Sequence, residues 1–301
     1  MKKYYVKQFA AIPPTYGGLS VYVKRLTLSL CKAGYPSGAF YRYGKIEGVP
    51  REYKDMFHPM IKHGRSFLVI PELPYLYRVC RPYQIVHSHL NLRTVFAMWA
   101  IHFLQKKPLV FTVHNQMIDR EIKGMWWIDK LCLRSLVKDP NVQFVTVNQA
   151  GKERLEERYT FKREIKVLPA YIAPIEIGEA SDYLPESLAK FIIDHKKNYI
   201  LFYAESFAYD NGNEIYGTDT CIDAFIRLRK QFSALSLVFC MPNMNDEKHL
   251  ENLKNKVTNA GASEYVYWQT TGITEMWPLV KSARLYLRPT STDGDSAPTA
   301  P

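Results

Sequence analysis

Apolar positions along this 301-residue chain fall into two alternating rhythms. Short β-branched and aromatic runs of strand length are separated by longer stretches in which apolar residues recur every three or four positions, the period of a helix with one buried face. The first run, 4–9, leads through Pro13-Pro14-Thr15-Tyr16-Gly17-Gly18 into a stretch where Leu19, Val23, Leu26 and Leu30 are spaced 4, 3 and 4. That spacing predicts a helix over 19–32, stopped at Gly34. The aromatic-rich segment 37–43 predicts the next strand. Further strands are predicted at 66–70, 84–87, 108–113, 142–147 and 165–168, with helices at 92–104, 119–137 and 149–159. Such alternation predicts a parallel sheet covered by helices on both faces.

Residues 169–183 are rich in Pro, Gly and acidic side chains and mark a domain boundary, giving a first domain over 1–175 and a second over 176–301. The second repeats the α/β alternation, with strands at 199–203, 235–241, 265–269 and 285–287 and helices at 218–232, 247–260 and 273–282. Its first helix carries Cys221, Phe225, Leu228 and Phe232 at the same 4, 3, 4 spacing. Four strands are fewer than the five or six that a doubly wound domain usually carries.

The charge divides at the same place. Residues 1–170 hold 28 Lys and Arg against 12 Asp and Glu, whereas 171–301 hold 12 against 17. A basic half suits a phosphorylated substrate or an anionic membrane surface. Nucleic acid is not expected, because no compact basic run and no RNA-binding signature is present. The hydrophobic and charged fractions, 47% and 23%, are those of a folded globular protein. No apolar run reaches the roughly 18 residues of a membrane span, and Lys7 and Gln8 interrupt any signal-peptide core. A cytoplasmic location is expected. The five cysteines are odd in number and widely spaced, which predicts reduced core residues and no structural zinc.

Candidate chemistry collects where strands end. Gly17 and Gly18 lie between a strand and a helix N-terminus, where unpaired N–H groups and the helix dipole favour a phosphate. The same stretch also reads as a tight turn with no ligand. His87-Ser88-His89, His114-Asn115 and Asn148 fall at the carboxyl ends of predicted strands, where ligands bind in parallel α/β sheets.

Seven stretches in order resemble the family 4, or group 1, glycosyltransferases: PPTYGGLSVYVKRLTLSLCKAGY, QIVHSHLNLRT, PLVFTVHN, VQFVTVNQAGKERL, IKVLPAYI, GTDTCIDAF and YVYWQTTGITEMWPLVKSARLYLRPTSTDGDS. They run through almost the whole chain. The resemblance implies two Rossmann-like domains in the B-type glycosyltransferase fold, with the second incomplete. It implies transfer of a sugar from a nucleotide-diphosphate donor to a glycan or lipid-linked acceptor, with retention, no cofactor and no bound metal. Polysaccharide or glycoconjugate synthesis would be the setting, with the protein peripheral on the inner face of the cell membrane.

By the same resemblance, Gly17 and Gly18 face the diphosphate and His114 touches the donor sugar as a catalytic position. His89 and Asn148 are the weaker substrate-side candidates, read first as a structural histidine and a helix cap. Two departures stand out. The family's Arg and Lys in the first loop of the second domain fall on Glu205 and Tyr216, which leaves Arg288 as the candidate donor-site cation, or else a strand-end surface arginine. The first acid of the family's Glu-x7-Glu motif falls on Asp293, followed by Gly294, while the second falls on Pro301. That implies a truncated or frame-shifted relative of a longer protein, diverging near Ala297. A non-catalytic remnant that binds nucleotide sugar or a partner protein is therefore the alternative reading. An NAD-type oxidoreductase is disfavoured, since G-x-G-x-x-G is absent.

Overall fold

In the computed structural model, which describes residues 4–13, 18–42, 46, 49–61, 66–89, 95–114, 118–174, 183–210, 212–273 and 275–290 (backbone only at 66, 67, 119–121 and 210), the first half of the chain forms a parallel sheet. The chain divides into two units, Met1–Ile175 and Glu176–Asp293. In the first, β1 (Tyr4–Ala11), α1 (Gly18–Lys32), β2 (Gly38–Tyr41) and β3 (His58–Pro59) are followed by α2 (Leu73–Cys80), β4 (Tyr83–Ser88), α3 (Val95–Gln105) and β5 (Leu109–Val113). Then come α4 (Ile118–Lys123), α5 (Trp127–Leu136), β6 (Val142–Thr146), α6 (Gln149–Glu156) and β7 (Lys166–Val167). The sheet order is β3-β2-β1-β4-β5-β6-β7, with every pair parallel.

The chain winds outward from β1 to β3, then returns to β4 and winds the other way. The reversal lies between β1 and β4, the position at which sheets of this kind open a binding crevice. Alternation along β1 feeds both faces. Phe9 joins Phe111, Phe144 and the buried sides of α2, α3 and α5, while Ala10 and Ile12 join Val23, Leu28 and Cys31 of α1. Each of the Phe, Ile, Val and Leu side chains, fully buried, contributes about 1.5–3 kcal/mol.

The second unit holds α7 (Glu186–Asp194), β8 (Tyr199–Tyr203), β9 (Tyr209–Asp210), β10 (Asn213–Glu214), α8 (Thr218–Arg229), β11 (Ser236–Cys240), α9 (Glu247–Asn259), β12 (Val266–Gln269), α10 (Trp277–Ser282) and β13 (Leu285–Leu287). Four of its strands form a parallel sheet in the order β12-β11-β8-β13, while β9 and β10 make a separate antiparallel hairpin. The winding reverses between β8 and β13. Phe202 and Phe239 stack at 4.7 Å under α8 and α9, and Leu201 and Val238 pack on the opposite face with Leu188, Ile192 and Leu279.

Several predicted elements are corrected. Residues 66–70 are not a strand but part of a 3-10 helix, Ser66–Glu72. A short apolar run has no period long enough to tell the two apart, and Pro71 and Pro74 favour turn and helix-start geometry. The single helix over 119–137 is two, because the chain breaks at Gly124 to Trp126 before α5. The helix predicted from 273 begins only at Trp277, with Pro278 in its first turn, where proline's missing N–H costs nothing. The face of α1 is turned as well: Val23, Thr27, Leu28 and Cys31 are buried, whereas Leu26 and Leu30 are half-buried. All five cysteines are free and buried.

Candidate active site

In the first unit the strand exits bring three imidazoles together. His87 lies on β4, His89 follows its end, and His114 follows the end of β5. Gln8 on the neighbouring β1 pairs in register with His87. The His87 and His89 rings lie 3.8 Å apart between centroids. Tyr22, on α1, sets its ring edge-on to both His89 and His114, at 5.6 and 5.1 Å.

Hydrogen bonds order the cluster. His89 Nε2 lies 2.6 Å from Gln8 Oε1, and His89 Nδ1 lies 3.2 Å from His114 Nε2. A separation of 2.6 Å suits N–H···O and is short for N–H···N, so the amide oxygen accepts and His89 carries its proton on Nε2. His89 Nδ1 is then an acceptor, and His114 must donate to it through Nε2–H. His114 is thereby left with an unprotonated Nδ1. His87 Nε2 meets Thr112 Oγ1 at 2.8 Å.

Burial suppresses charge throughout. It pulls the His114 pKa down to about 4 and that of His87 to about 3, the charge on His114 adding to the latter. His89 falls well below the usual histidine value through burial, with His87 and His114 adding to it. The cluster is neutral at physiological pH. Burial also raises the Tyr22 pKa, which keeps the phenol protonated. Such a site accepts a hydrogen bond from a hydroxyl at His114 Nδ1 without bringing a cation.

The other expected residues of this unit fare differently. His89 is buried and engages both ring nitrogens within the protein, with Gln8 and His114, an arrangement in keeping with the structural side of its reading. Asn148 is the N-cap of α6, its Oδ1 accepting from Gly151 N at 2.7 Å, which is the capping role that its place before a helix predicts. Gly18 is the exposed first residue of α1, whose first turn holds no acid. Gly17, Asp293 and Gly294 lie outside the described residues.

In the second unit Glu205 and Arg288 follow β8 and β13, the two strands that flank its reversal. Glu205 Oε1 accepts from Asn243 Nδ2 at 3.1 Å, and its backbone oxygen accepts from Asn243 N at 2.9 Å. Burial raises the Glu205 pKa, partly offset by that amide. The Arg288 guanidinium lies 5.7 Å from the Tyr216 ring centroid. Tyr203 lies close enough to feel both, its pKa raised by burial first and then by Glu205, with Arg288 opposing.

The N-terminus of α8 is already occupied from within. Glu214 accepts from Tyr216 N at 2.7 Å, Thr218 N at 2.8 Å and Thr218 Oγ1 at 2.9 Å. Gly217, at φ +70°, brings this turn against Pro289, whose carbonyl oxygen a Cβ would overlap. The sequence reading missed Gln8, Tyr22 and Glu214. Gln8 and Tyr22 sit in segments that read only as strand and helix, and the cap by Glu214 depends on a hairpin with no apolar run to announce it. Among the described residues, no group of three His, Cys, Asp or Glu is placed to hold a metal ion.

Two doubly wound sheets, each with polar side chains at its strand reversal, define an α/β protein of the class that binds ligands at such reversals. The sequence pattern of Glycosyltransferase Family 4 matches residues 16–173, more than half of the chain, and the chain belongs to that family. It is a glycosyltransferase of the B-type fold. Among solved structures it is similar to a glycosyltransferase from Rickettsia africae ESF-5, at 13% identity and a TM-score of 0.60, over 96% of this chain and 74% of that one. Anabaena HepE in complex with UDP and glucose aligns at 10% identity and TM-score 0.59, over 96% and 75%. WaaG, a glycosyltransferase involved in lipopolysaccharide biosynthesis, aligns at 14% identity and TM-score 0.58, over 96% and 75%. At these identities the likeness is one of fold. No curated protein matches the chain.

Proposed function

We propose that this chain moves a sugar from a nucleotide-diphosphate donor to a glycan or lipid-linked acceptor, with retention and without a bound metal ion, in polysaccharide or glycoconjugate synthesis. The observation that carries the reading is the neutral His114, held at the exit of β5 within the segment that matches the family. His114 Nδ1 would accept a hydrogen bond from a hydroxyl of the donor sugar and fix its orientation. The departing diphosphate would lie against the N-terminus of α1, where the helix dipole stabilises negative charge as it develops. Arg288 is the candidate cation on the donor side. The complex of HepE with UDP and glucose supports a nucleotide donor, and the role of WaaG in lipopolysaccharide synthesis supports a lipid-linked glycan acceptor. Among the described residues, no helix is long and apolar enough to cross a membrane. Peripheral attachment to the inner face of the membrane, through the basic first unit, is part of the same reading.

Glu205 favours a second reading. A carboxylate held by Asn243 stands where the family's diphosphate-clamping arginine is expected, as it would in a non-catalytic protein that has kept only its binding surface. Incubation with UDP-, GDP- and dTDP-sugars separates the two. Release of nucleoside diphosphate excludes the remnant, and a thermal shift without release supports it.

A further inference from the structure

We infer that the outer face of α2, α3 and α5 is a docking surface for an anionic lipid bilayer. The inference rests on placing the acceptor at a membrane, and it names the surface that would bring the protein there. α3 packs against both α2 and α5. The ends of the three helices are tied together: Gln105 Nε2 donates to Tyr77 O at 2.7 Å, Lys107 Nζ donates to Cys80 O and Arg81 O at 2.8 and 2.6 Å, and His102 pairs with Asp139, just past α5, at 3.1 Å. This layer and the 3-10 helix beside it carry half of the exposed large apolar side chains among the described residues. On α5, Trp127 is 69% and Leu131 51% exposed, and the stripe continues through exposed Arg134 to Lys138, spaced 4, 3 and 4. Phe103 and Leu104 of α3, 47% and 58% exposed, add to it. An apolar helix stripe turned to solvent is the reverse of a core-facing amphipathic helix.

The charge on this face selects the occupant. Arg78, Arg81, Lys106, Arg134 and Lys138 are exposed. Among the described acids of the same layer, Asp129 is buried and Asp139 is held by His102, leaving Glu72 half-buried. Indole, phenyl and leucyl groups set among Lys and Arg match the boundary between acyl chains and anionic headgroups. A second copy of the chain is a poor fit, since a two-fold interface here would set these cations against themselves.

Co-sedimentation with vesicles tests the inference, using phosphatidylglycerol–phosphatidylcholine mixtures against pure phosphatidylcholine, with no sugar donor present. The native chain is expected to bind the mixed vesicles only, and to release them in about 1 M salt, where charges are screened beyond about 3 Å. Trp127→Ser with Leu131→Ser is expected to weaken binding about tenfold or more, as is Lys106→Glu with Arg134→Glu. Lys32→Glu with Arg51→Glu, on α1 and the 3-10 turn before β3, balances the charge change away from the patch and should leave affinity within about twofold. Thermal melting accompanies each variant; should the Trp127 variant fail to fold, the charge pair decides. The inference is overturned if the native chain ignores anionic vesicles, if the patch variants bind as it does, or if the control pair weakens binding equally. A dimer in sedimentation velocity that Trp127→Ser abolishes would assign the face to a second copy instead. Each of these outcomes leaves sugar transfer in solution untouched, because that is read separately by nucleotide release.

Discussion

His89 Nδ1 and His114 Nε2 lie 3.2 Å apart, and because Gln8 accepts from the far side of His89, this contact decides which nitrogen of His114 holds a proton. A fully buried residue thus sets the hydrogen-bonding character of its neighbour at the end of β5. Nitrogen-15 spectra of the imidazoles should show His114 and His89 both protonated on Nε2. Gln8→Met should mix the tautomers of both rings, whereas Gln8→Glu, which still accepts, should preserve them. Proton on His114 Nδ1 in the native protein would contradict the assignment. His114→Ala is expected to lower the rate of transfer by about 10- to 100-fold, the loss of one neutral hydrogen bond made in the transition state.

Acid should weaken the first unit through the same residues. The folded pKa of His114 is about 4 and that of His87 about 3, both below the ordinary 6.5, so between these limits the unfolded chain binds protons that the folded one does not. Their contribution is complete above pH 6.5 and is lost progressively as pH falls toward 4. Denaturant midpoints measured from pH 7 to 4 should fall, and the fall should be smaller in His87→Gln. Equal slopes in the two proteins would count against it.

Lys7 imposes the opposite window. It is fully buried on β1, donating to Ala39 O at 2.7 Å and Met56 O at 3.1 Å with His58 Nδ1 2.9 Å from its Nζ, and burial lowers its pKa from 10.5 to about 7. Between pH 7 and 10.5 the unfolded chain carries a proton there that the folded chain lacks, so stability from this group rises with pH across that range. Lys7→Met should flatten the rise. The substitution also leaves Ala39 O without its donor, at a cost of about 1–3 kcal/mol near neutral pH. Chemical denaturation of both proteins at pH 7.5 and 9.5 reads the slope directly.

Glu205 should oppose a diphosphate. Glu205→Gln removes the carboxylate while keeping an acceptor for Asn243, and it is expected to tighten UDP binding by about three- to tenfold through relief of like-charge repulsion near the surface. Native affinity should rise as pH falls through the raised pKa of this carboxyl, and the variant should lose that dependence. Calorimetric titration with UDP at pH 5.5 and 7.5 measures both, and unchanged affinity in the variant would place the diphosphate elsewhere.

The α/β alternation of both units was readable where apolar residues are spaced over several turns, as after Gly217, and where β-branched runs such as 108–113 lie between such stretches. Where that information ran out, so did the reading. Residues 66–70 are too short to show a period, and Pro278 fixed a helix start that the apolar pattern placed earlier. The helix over 19–32 was correct in extent but not in face, because Thr27 bonds its own helix, Oγ1 donating to Val23 O at 2.7 Å, and so is buried at no polar cost. His114 was visible as a strand-end residue within a family-like motif. Gln8 was not, because its role depends on strand β1 lying beside β4, a relationship between residues 81 positions apart. Glu205 and Arg288 were reached through the family resemblance, and Asn148 was readable as a cap because its side chain reaches only three residues along the chain.

The central claim, that this member of Glycosyltransferase Family 4 transfers sugar from a nucleotide donor, is tested most directly by nucleoside diphosphate release from a panel of UDP-, GDP- and dTDP-sugars. The account expects release from at least one donor, stimulated by a glycan or lipid-linked acceptor, retained in EDTA and lost in His114→Ala. No release from any donor, with no shift in melting temperature on adding the free nucleoside diphosphates, would contradict it.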